Sequence, residues 1–335
     1  MLLDELDTPV LTADLDAVDR NIARMQGYCD EHRLALRPHV KTHKLPEIAQ
    51  FQVDAGARGI TCQKLGEAEV FADAGFDDIL ISFPLIGPAK IDRLRALADR
   101  AHVTVVVDSD EGLDAVTELD VDVLVECDTG GGRTGVQSPA AAALLAARAE
   151  RFRGLMTYPM PPGAGAWLQE AIDLIGDVET VSVGGTPTAS STHELGVATE
   201  LRVGTYVYGD RACIANGATP LGDCALRVLA TVVSAPTRDR VILDAGTKAL
   251  TSDPALGVDG HGLVVEYPEA DVHMLNEEHG IVDVSGCERR PRIGERVSVV
   301  PNHACGTTNL YDEVVLQRGG TVVDVLPIRA RGKLR

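Results

Sequence analysis

Between residues 8 and 183 the chain repeats one unit: a short apolar run, a polar turn, then a stretch with helical periodicity. Residues 8–13 read as an opening strand. Further strands are predicted at 34–36, 59–62, 78–82, 103–108, 121–126, 154–157 and 180–183. Between them, 15–22, 47–54, 65–74, 91–100, 112–119, 140–151 and 167–175 carry helical patterns, with Asp14 placed to cap the first and Pro46 to open the second. Strands that are apolar on both faces, alternating with amphipathic helices, require a parallel sheet covered by helices. About eight such units in roughly two hundred residues fit a closed (β/α)8 TIM-type barrel. An open doubly wound sheet is the alternative, but no G-x-G-x-x-G follows the first strand.

Beyond about residue 223 the pattern changes. Strand-like runs at 226–233, 240–244, 262–265, 296–300 and 321–326 follow one another with no long helix between them. The expected architecture is therefore α/β, a barrel followed by a smaller all-β domain. The barrel is assigned to 12–215 and the β-rich domain to 221–335 together with 1–11, the linker falling near 215–220.

Composition narrows the function classes. The 335 residues carry a formal charge of −19, which repels nucleic acid and anionic membrane. Seven scattered cysteines without a C-x-x-C pair argue against a disulfide framework. An acidic start, Met1-Leu-Leu-Asp-Glu-Leu-Asp7, does not read as a secretory signal, and no apolar run is long enough to span a bilayer. The expectation is a cytoplasmic protein with no nucleic-acid or membrane partner. An acid-rich, lysine-poor surface also suggests a halophilic source. Only Lys41, Lys44, Lys64, Lys90, Lys248 and Lys333 are lysines.

That scarcity draws attention to Pro38-His-Val-Lys-Thr-His-Lys44. Pro38 removes a ladder donor, so the strand stops there and Lys41 lies at its carboxyl end. In α/β folds ligands gather at that end, and a desolvated lysine amine there can attack a carbonyl. Glycine-rich turns follow two other predicted strands: Asp128-Thr-Gly-Gly-Gly-Arg-Thr-Gly135 and Val181-Ser-Val-Gly-Gly-Thr-Pro-Thr188, with Leu201-Arg-Val-Gly-Thr-Tyr-Val-Tyr-Gly209 further on. Backbone amides in such turns can hold a phosphate. A lysine and phosphate cradles at strand ends together point to pyridoxal 5′-phosphate. In the β-rich part, His303 and Cys305 lie two apart in Pro301-Asn-His-Ala-Cys-Gly-Thr-Thr-Asn-Leu-Tyr311. Imidazole plus thiolate favours zinc, and two protein ligands suit an open site. Lys248 is the rival lysine, though it sits in the β-rich part. Among the histidines, His43 has the best case for moving protons because it shares the loop with Lys41, ahead of His39 and His193.

These segments resemble the D-threonine aldolase and D-serine dehydratase family, fold-type III pyridoxal enzymes whose N-terminal barrel is like that of alanine racemase. The resemblance runs from Thr8 nearly to the last residue. It implies that Lys41 is the Schiff-base lysine and that Arg133 contacts the cofactor's phenolic oxygen. It further implies that Gly185, Thr186, Gly204 and Thr205 bind the phosphate, that Arg202 faces the pyridine nitrogen, and that Tyr158 lines the substrate side. The Pro159-Met-Pro-Pro that follows Tyr158 departs from the aldolase pattern. His303 and Cys305 match the family's metal motif; the dehydratases carry this pair, whereas the aldolases carry histidine and aspartate. The implied activity is a metal-dependent lyase for D-β-hydroxy-α-amino acids, by aldol cleavage or, alternatively, by dehydration and loss of ammonia. A racemase and a non-catalytic pyridoxal-binding protein are the remaining alternatives, and a homodimer is the implied assembly.

Overall fold

The structure, a computed structural model, describes residues 1–255 and 257–335 and divides into two compact units. One, the β unit, comprises Met1–Ile22, Thr42–Leu45 and Thr205–Arg331. The other, the barrel unit, comprises Ala23–Lys41, Pro46–Gly204 and Gly332–Arg335.

Strand β1 (Val10–Asp14) comes first and belongs to the β unit. The barrel strands follow: β2 (Ala35–Leu36), β3 (Ile60–Cys62), β4 (Asp78–Ile81), β5 (His102–Val107), β6 (Asp122–Cys127), β7 (Phe152–Thr157), β8 (Thr180–Gly184) and β9 (Glu200–Arg202). They form an eight-stranded sheet, β2-β9-β8-β7-β6-β5-β4-β3, in which every pairing is parallel. The two ends of that order meet. His39, just past β2, bridges Thr61 of β3, and the Thr61 and Arg58 amides donate to Pro38 O at 2.8 Å and Leu36 O at 2.9 Å. Leu80, Val106, Leu124 and Met156, from four adjacent strands, pack as one buried cluster.

Helices α2 (Pro46–Asp54), α3 (Leu65–Asp73), α4 (Pro88–Ala98), α5 (Asp110–Val116), α6 (Pro139–Arg148) and α7 (Ala164–Ile175) alternate with these strands. Their starts are written in ordinary cap chemistry. Ser109 and Ser138 accept from the amides of Gly112 and Ala141, and prolines open α4 and α6. The first helix, α1 (Leu15–His32), precedes β2.

The barrel floor, at the amino ends of the strands, is a lattice of ion pairs. Arg37 donates Nε to Glu200 at 2.8 Å and a fork of two bonds to Asp78 at 2.7 and 3.2 Å. Glu200 also accepts from Ser182 Oγ at 2.6 Å. Asp122 accepts from His102, Arg151 and Arg153 at 2.9, 3.2 and 3.0 Å. A cavity of about 230 Å³ lies among Arg37, His102, Asp122, Arg153 and Glu200.

In the β unit, β10 (Leu226–Thr237), β11 (Arg240–Leu243), β12 (Gly262–Val264), β13 (Asp271–Leu275), β14 (Gly280–Asp283), β15 (Arg296–Pro301), β16 (Glu313–Arg318) and β17 (Thr321–Pro327) join β1 in a nine-stranded sheet. Its order is β13-β14-β11-β10-β1-β16-β17, with β15 also on β10 and β12 on β15. β1 runs antiparallel to β10 and parallel to β16.

Two expectations change here, and they cancel in the count. The strand read at 8–13 opens the series of barrel units in the sequence, with only residues 1–11 given to the β-rich part; observed at Val10–Asp14, it pairs wholly within the β unit, because apolar alternation says which face is buried but not against which partner. The barrel gains β9 in its place. Two of the three β9 residues are charged, and pairing with Arg37 and Ser182 is what lets them lie buried in a barrel wall. Among the described residues no helix is long and apolar enough to cross a membrane.

Candidate active site

The carboxyl ends of the barrel strands gather most of the singled-out residues. Lys41 follows β2, and its Nζ donates to Gln63 Oε1 at 3.1 Å, just past β3. Gln63 is a hub: the same oxygen lies 3.2 Å from His39 Nε2, and its amide nitrogen donates to Ser82 O at 3.0 Å, past β4. The Gln63 backbone amide donates to Glu67, the third residue of α3, so the hub is anchored to a helix start. Sequence reasoning missed Gln63 because a single glutamine after a strand carries no signal until its partners are known.

After β6, the turn bearing Arg133 is wound on one carboxylate. Asp128 Oδ1 accepts from the amides of Gly130, Gly131 and Gly132 at 2.9, 2.7 and 3.0 Å. Those amides hold the Asp128 carboxyl below the usual carboxylate range, Gly132 first. Thr134 Oγ1 donates to buried Glu126 at 2.7 Å, and Arg133 Nη2 stands 3.6 Å from the same oxygen. The Arg133 guanidinium sits 4.8 Å from the centre of the Tyr158 ring, past β7. Burial raises the Glu126 carboxyl, against the pull of Thr134 and the two arginines Arg133 and Arg202.

Arg202 ends β9 and is 5% exposed. Its Nε donates to Ser182 Oγ and its Nη2 to Thr157 O, both at 2.8 Å. Burial draws its pKa down to about 10, while Glu200 and Glu126 oppose the change.

The turn after β8 approaches the same place. Gly185 has φ +124°, a region L side chains avoid, and a Cβ built there would lie 3.5 Å from Tyr158 Cε2. Arg133, Tyr158 and Gly185 are thus neighbours around one ring. Next, Thr186 opens a 3-10 helix, and its buried hydroxyl has no hydrogen-bond partner among the described residues. An orphaned buried hydroxyl beside a glycine turn is a donor awaiting an acceptor. The turns after β8 and β9, the seventh and eighth strands of the barrel, are where this architecture places a phosphate. Gly204 lies just past β9. The arrangement fits pyridoxal phosphate: an amine, a glycine–threonine cradle and two arginines on one rim.

The β unit holds the other motif. His303 and Cys305 flank Ala304 at the start of α8 (Ala304–Thr308), directly after β15. Cys305 Sγ is 3.2 Å from Thr42 Oγ1 and 4.0 Å from Thr205 Oγ1, so Thr205, expected at the phosphate, touches the thiol. Asp210 Oδ2 accepts the Ala304 amide at 3.1 Å, and its Oδ1 accepts the Cys213 amide at 2.9 Å. His303 Nδ1 donates to Asp253 Oδ2 at 2.6 Å. The bond to Cys305 leads the influences that push the His303 imidazole up to about 9; burial opposes it, and Asp253 and Asp210 add to it. Among the described residues no three His, Cys, Asp or Glu side chains gather as a ready-made metal cage. His303 and Cys305 remain a two-ligand set, which fits an open site completed by other groups.

His43 is fully buried, its Nδ1 accepting the Leu45 amide at 3.1 Å with the ring 6.3 Å from that of Tyr208. Lys248 is exposed and paired with Glu277 and Glu278, the place of an ordinary surface lysine. His193 stacks on His32 with ring centres 3.8 Å apart.

Comparison with known proteins now decides the family. The alanine racemase N-terminal domain family matches residues 13–212, and the serine dehydratase domain family matches 225–317. D-threonine aldolase of an Arthrobacter species is 38% identical over 98% of this chain and 94% of its own length. The chain belongs to the D-threonine aldolase and D-serine dehydratase family of pyridoxal-phosphate-dependent lyases. In structure, D-threonine aldolase from Filomicrobium marinum superposes with a TM-score of 0.89 at 33% identity, covering 100% of this chain and 99% of that one. A D-threo-3-hydroxyaspartate dehydratase, solved as a cysteine-to-alanine mutant in a metal-free form, gives 0.87 at 30% identity and 98% coverage of each. The expected α/β class, barrel plus antiparallel β-rich part, is the fold these relatives share.

Proposed function

We propose that the protein cleaves D-β-hydroxy-α-amino acids by a retro-aldol reaction, releasing glycine and an aldehyde, with pyridoxal phosphate and a divalent metal, zinc by the chemistry of the donors. The observation that carries this reading is Lys41, set at the rim of the barrel on Gln63, in a chain 38% identical to D-threonine aldolase. Relatedness to D-threonine aldolase over nearly the whole chain supports it.

When bound, pyridoxal phosphate accepts the electron pair of the breaking Cα–Cβ bond and the metal acidifies the β-hydroxyl. The chain's own groups do the rest. Lys41 supplies the amine that holds the cofactor aldehyde, and Gln63 keeps that amine at the rim. Thr186, with Gly185, Gly204 and Thr205, serves the phosphate. Arg133 neutralises the phenolic oxygen, and Tyr158 stacks beside it toward the substrate. Arg202, a buried cation fixed by Ser182 and Thr157 O, disfavours a proton on the pyridine nitrogen. Aldol cleavage removes a proton from the β-hydroxyl and returns one to Cα, and Lys41 Nζ is the group assigned to the return. His43 is assigned to hold the lysine-bearing loop through its bond to the Leu45 amide.

Dehydration is the second reading, favoured by the thiol of Cys305 within the stretch matched by the serine dehydratase domain family. NMR of the products from D-threonine with pyridoxal phosphate and zinc separates the two. Glycine with acetaldehyde is the expected result. 2-Oxobutanoate with ammonia would replace the aldolase reading by the dehydratase one, and an inverted α-carbon alone would overturn both.

A further inference from the structure

Asp253 is a carboxylate that neither the sequence motifs nor the family reading singles out. It lies before β12, fifty residues from His303 in the chain, yet its Oδ2 accepts a 2.6 Å hydrogen bond from His303 Nδ1. The surrounding backbone is shaped to keep it there. Thr251 adopts φ +64°, unusual for a β-branched residue, and its Oγ1 accepts the Asp253 amide at 3.3 Å. Asn302, 1% exposed, donates Nδ2 to Asp253 O at 3.1 Å and to Gly260 O at 2.8 Å. Gly306 leaves room for the carboxylate: a Cβ at that position would stand 2.8 Å from Asp253 Oδ2 and 3.4 Å from Thr251 Oγ1. Three features, a left-handed threonine, a buried asparagine and a glycine, converge on one carboxylate, and it faces an imidazole.

The other nearby carboxylate makes a useful contrast. Both oxygens of Asp210 accept backbone amides, and the residue is 2% exposed, so it braces the chain. Asp253 instead acts on a ring. A carboxylate on one imidazole nitrogen fixes the proton there, so that the proton a metal displaces is the one on the other nitrogen, which then ligates it.

We propose that Asp253 is a positioning residue for metal capture: it holds His303 as the Nδ1-protonated tautomer, so that Nε2, together with the Cys305 thiolate, faces a divalent cation. This rests on reading His303 and Cys305 as the metal ligands. The glycine at 306 and the left-handed threonine at 251 are then parts of the same device.

The test uses the full chain stripped with chelator, with zinc alone titrated against a chromophoric competitor and the visible spectrum of the cobalt-loaded protein as a second readout. Asp253→Ala should weaken zinc binding by about 10–100-fold, with Asp253→Asn toward the lower end because its amide oxygen can still accept from Nδ1. Gly306→Ala should shift the cobalt bands by displacing the carboxylate. His303→Ala should remove stoichiometric binding. Wild-type zinc affinity and an unchanged cobalt spectrum in Asp253→Asn and Asp253→Ala, with His303→Ala still defective, would overturn the inference and leave the metal reading intact. A lowered melting temperature with wild-type affinity and cobalt bands would make Asp253 structural only, which also overturns it. Equal metal binding by wild type and His303→Ala would sink the metal reading and the inference with it.

Discussion

The two ends of the barrel are both rich in arginine and carboxylate, yet they are built on opposite principles. At the floor every strong group is satisfied by another protein group: Arg37 by Glu200 and Asp78, Asp122 by His102, Arg151 and Arg153. At the rim the groups stand beside glycine turns, and the Thr186 hydroxyl is buried with no partner among the described residues. Charge density alone would not tell the ends apart. Saturation does: a closed lattice holds the barrel together, and an incomplete one is set to receive a ligand.

Substitutions can break that contrast from either side. The largest effect should come from the floor. Arg37→Ala strands the buried carboxylate of Glu200 and should lower the stability by about 3–5 kcal/mol in urea unfolding. Pyridoxal phosphate affinity measured on the protein that remains folded should hold; a large loss of affinity would show that floor and rim are not separate. The rim should behave in reverse. Thr186→Val deletes an unpartnered hydroxyl, so stability should hold or rise, while cofactor binding should weaken by about 1–2 kcal/mol, roughly tenfold, in a fluorescence titration. Unchanged cofactor affinity would remove Thr186 from the phosphate site.

The smallest effect concerns acid. Burial pushes the Asp122 carboxyl up, but hydrogen bonds from Arg153 and His102 more than offset it and hold it below the usual range. A depressed carboxyl stabilises the fold above the unfolded pKa of about 3.9 and loses that contribution as the pH falls toward the folded value. Asp122→Asn should therefore cost roughly 1–2 kcal/mol at pH 7 and progressively less below pH 4, seen in paired urea curves. A difference that does not vary with pH would mean that packing, not charge, is what Asp122 contributes.

Much of this was legible in the sequence, for reasons that can be named. Strands such as β5 and β6 are valine-rich and buried along nearly their whole length, so composition and burial agree. The position of Lys41 just past a barrel strand was readable because Pro38 marks the strand end. By contrast, Glu200-Leu-Arg202 does not look like a barrel strand, since its charges become tolerable only through Arg37 and Ser182, far away in the chain. Gln63, Glu126 and Asp253 were invisible for the same reason. Each is an ordinary polar residue whose meaning lies in a partner that local pattern cannot supply. His43 is a different case: nearness in sequence to Lys41 suggests proton transfer, and what the structure adds is a bond from the Leu45 amide to its Nδ1.

The placement of β1 has a consequence for how such a protein can be cut and recombined. β1 comes from residues near the start of the sequence and lies between β10 and β16, which among the described residues do not pair with each other. A fragment beginning at Thr205 would carry eight of the nine strands and still lack the one that joins them. The β unit also includes Thr42–Leu45, four residues interpolated within barrel sequence. No single crossover point in a gene can therefore exchange one unit and leave the other whole.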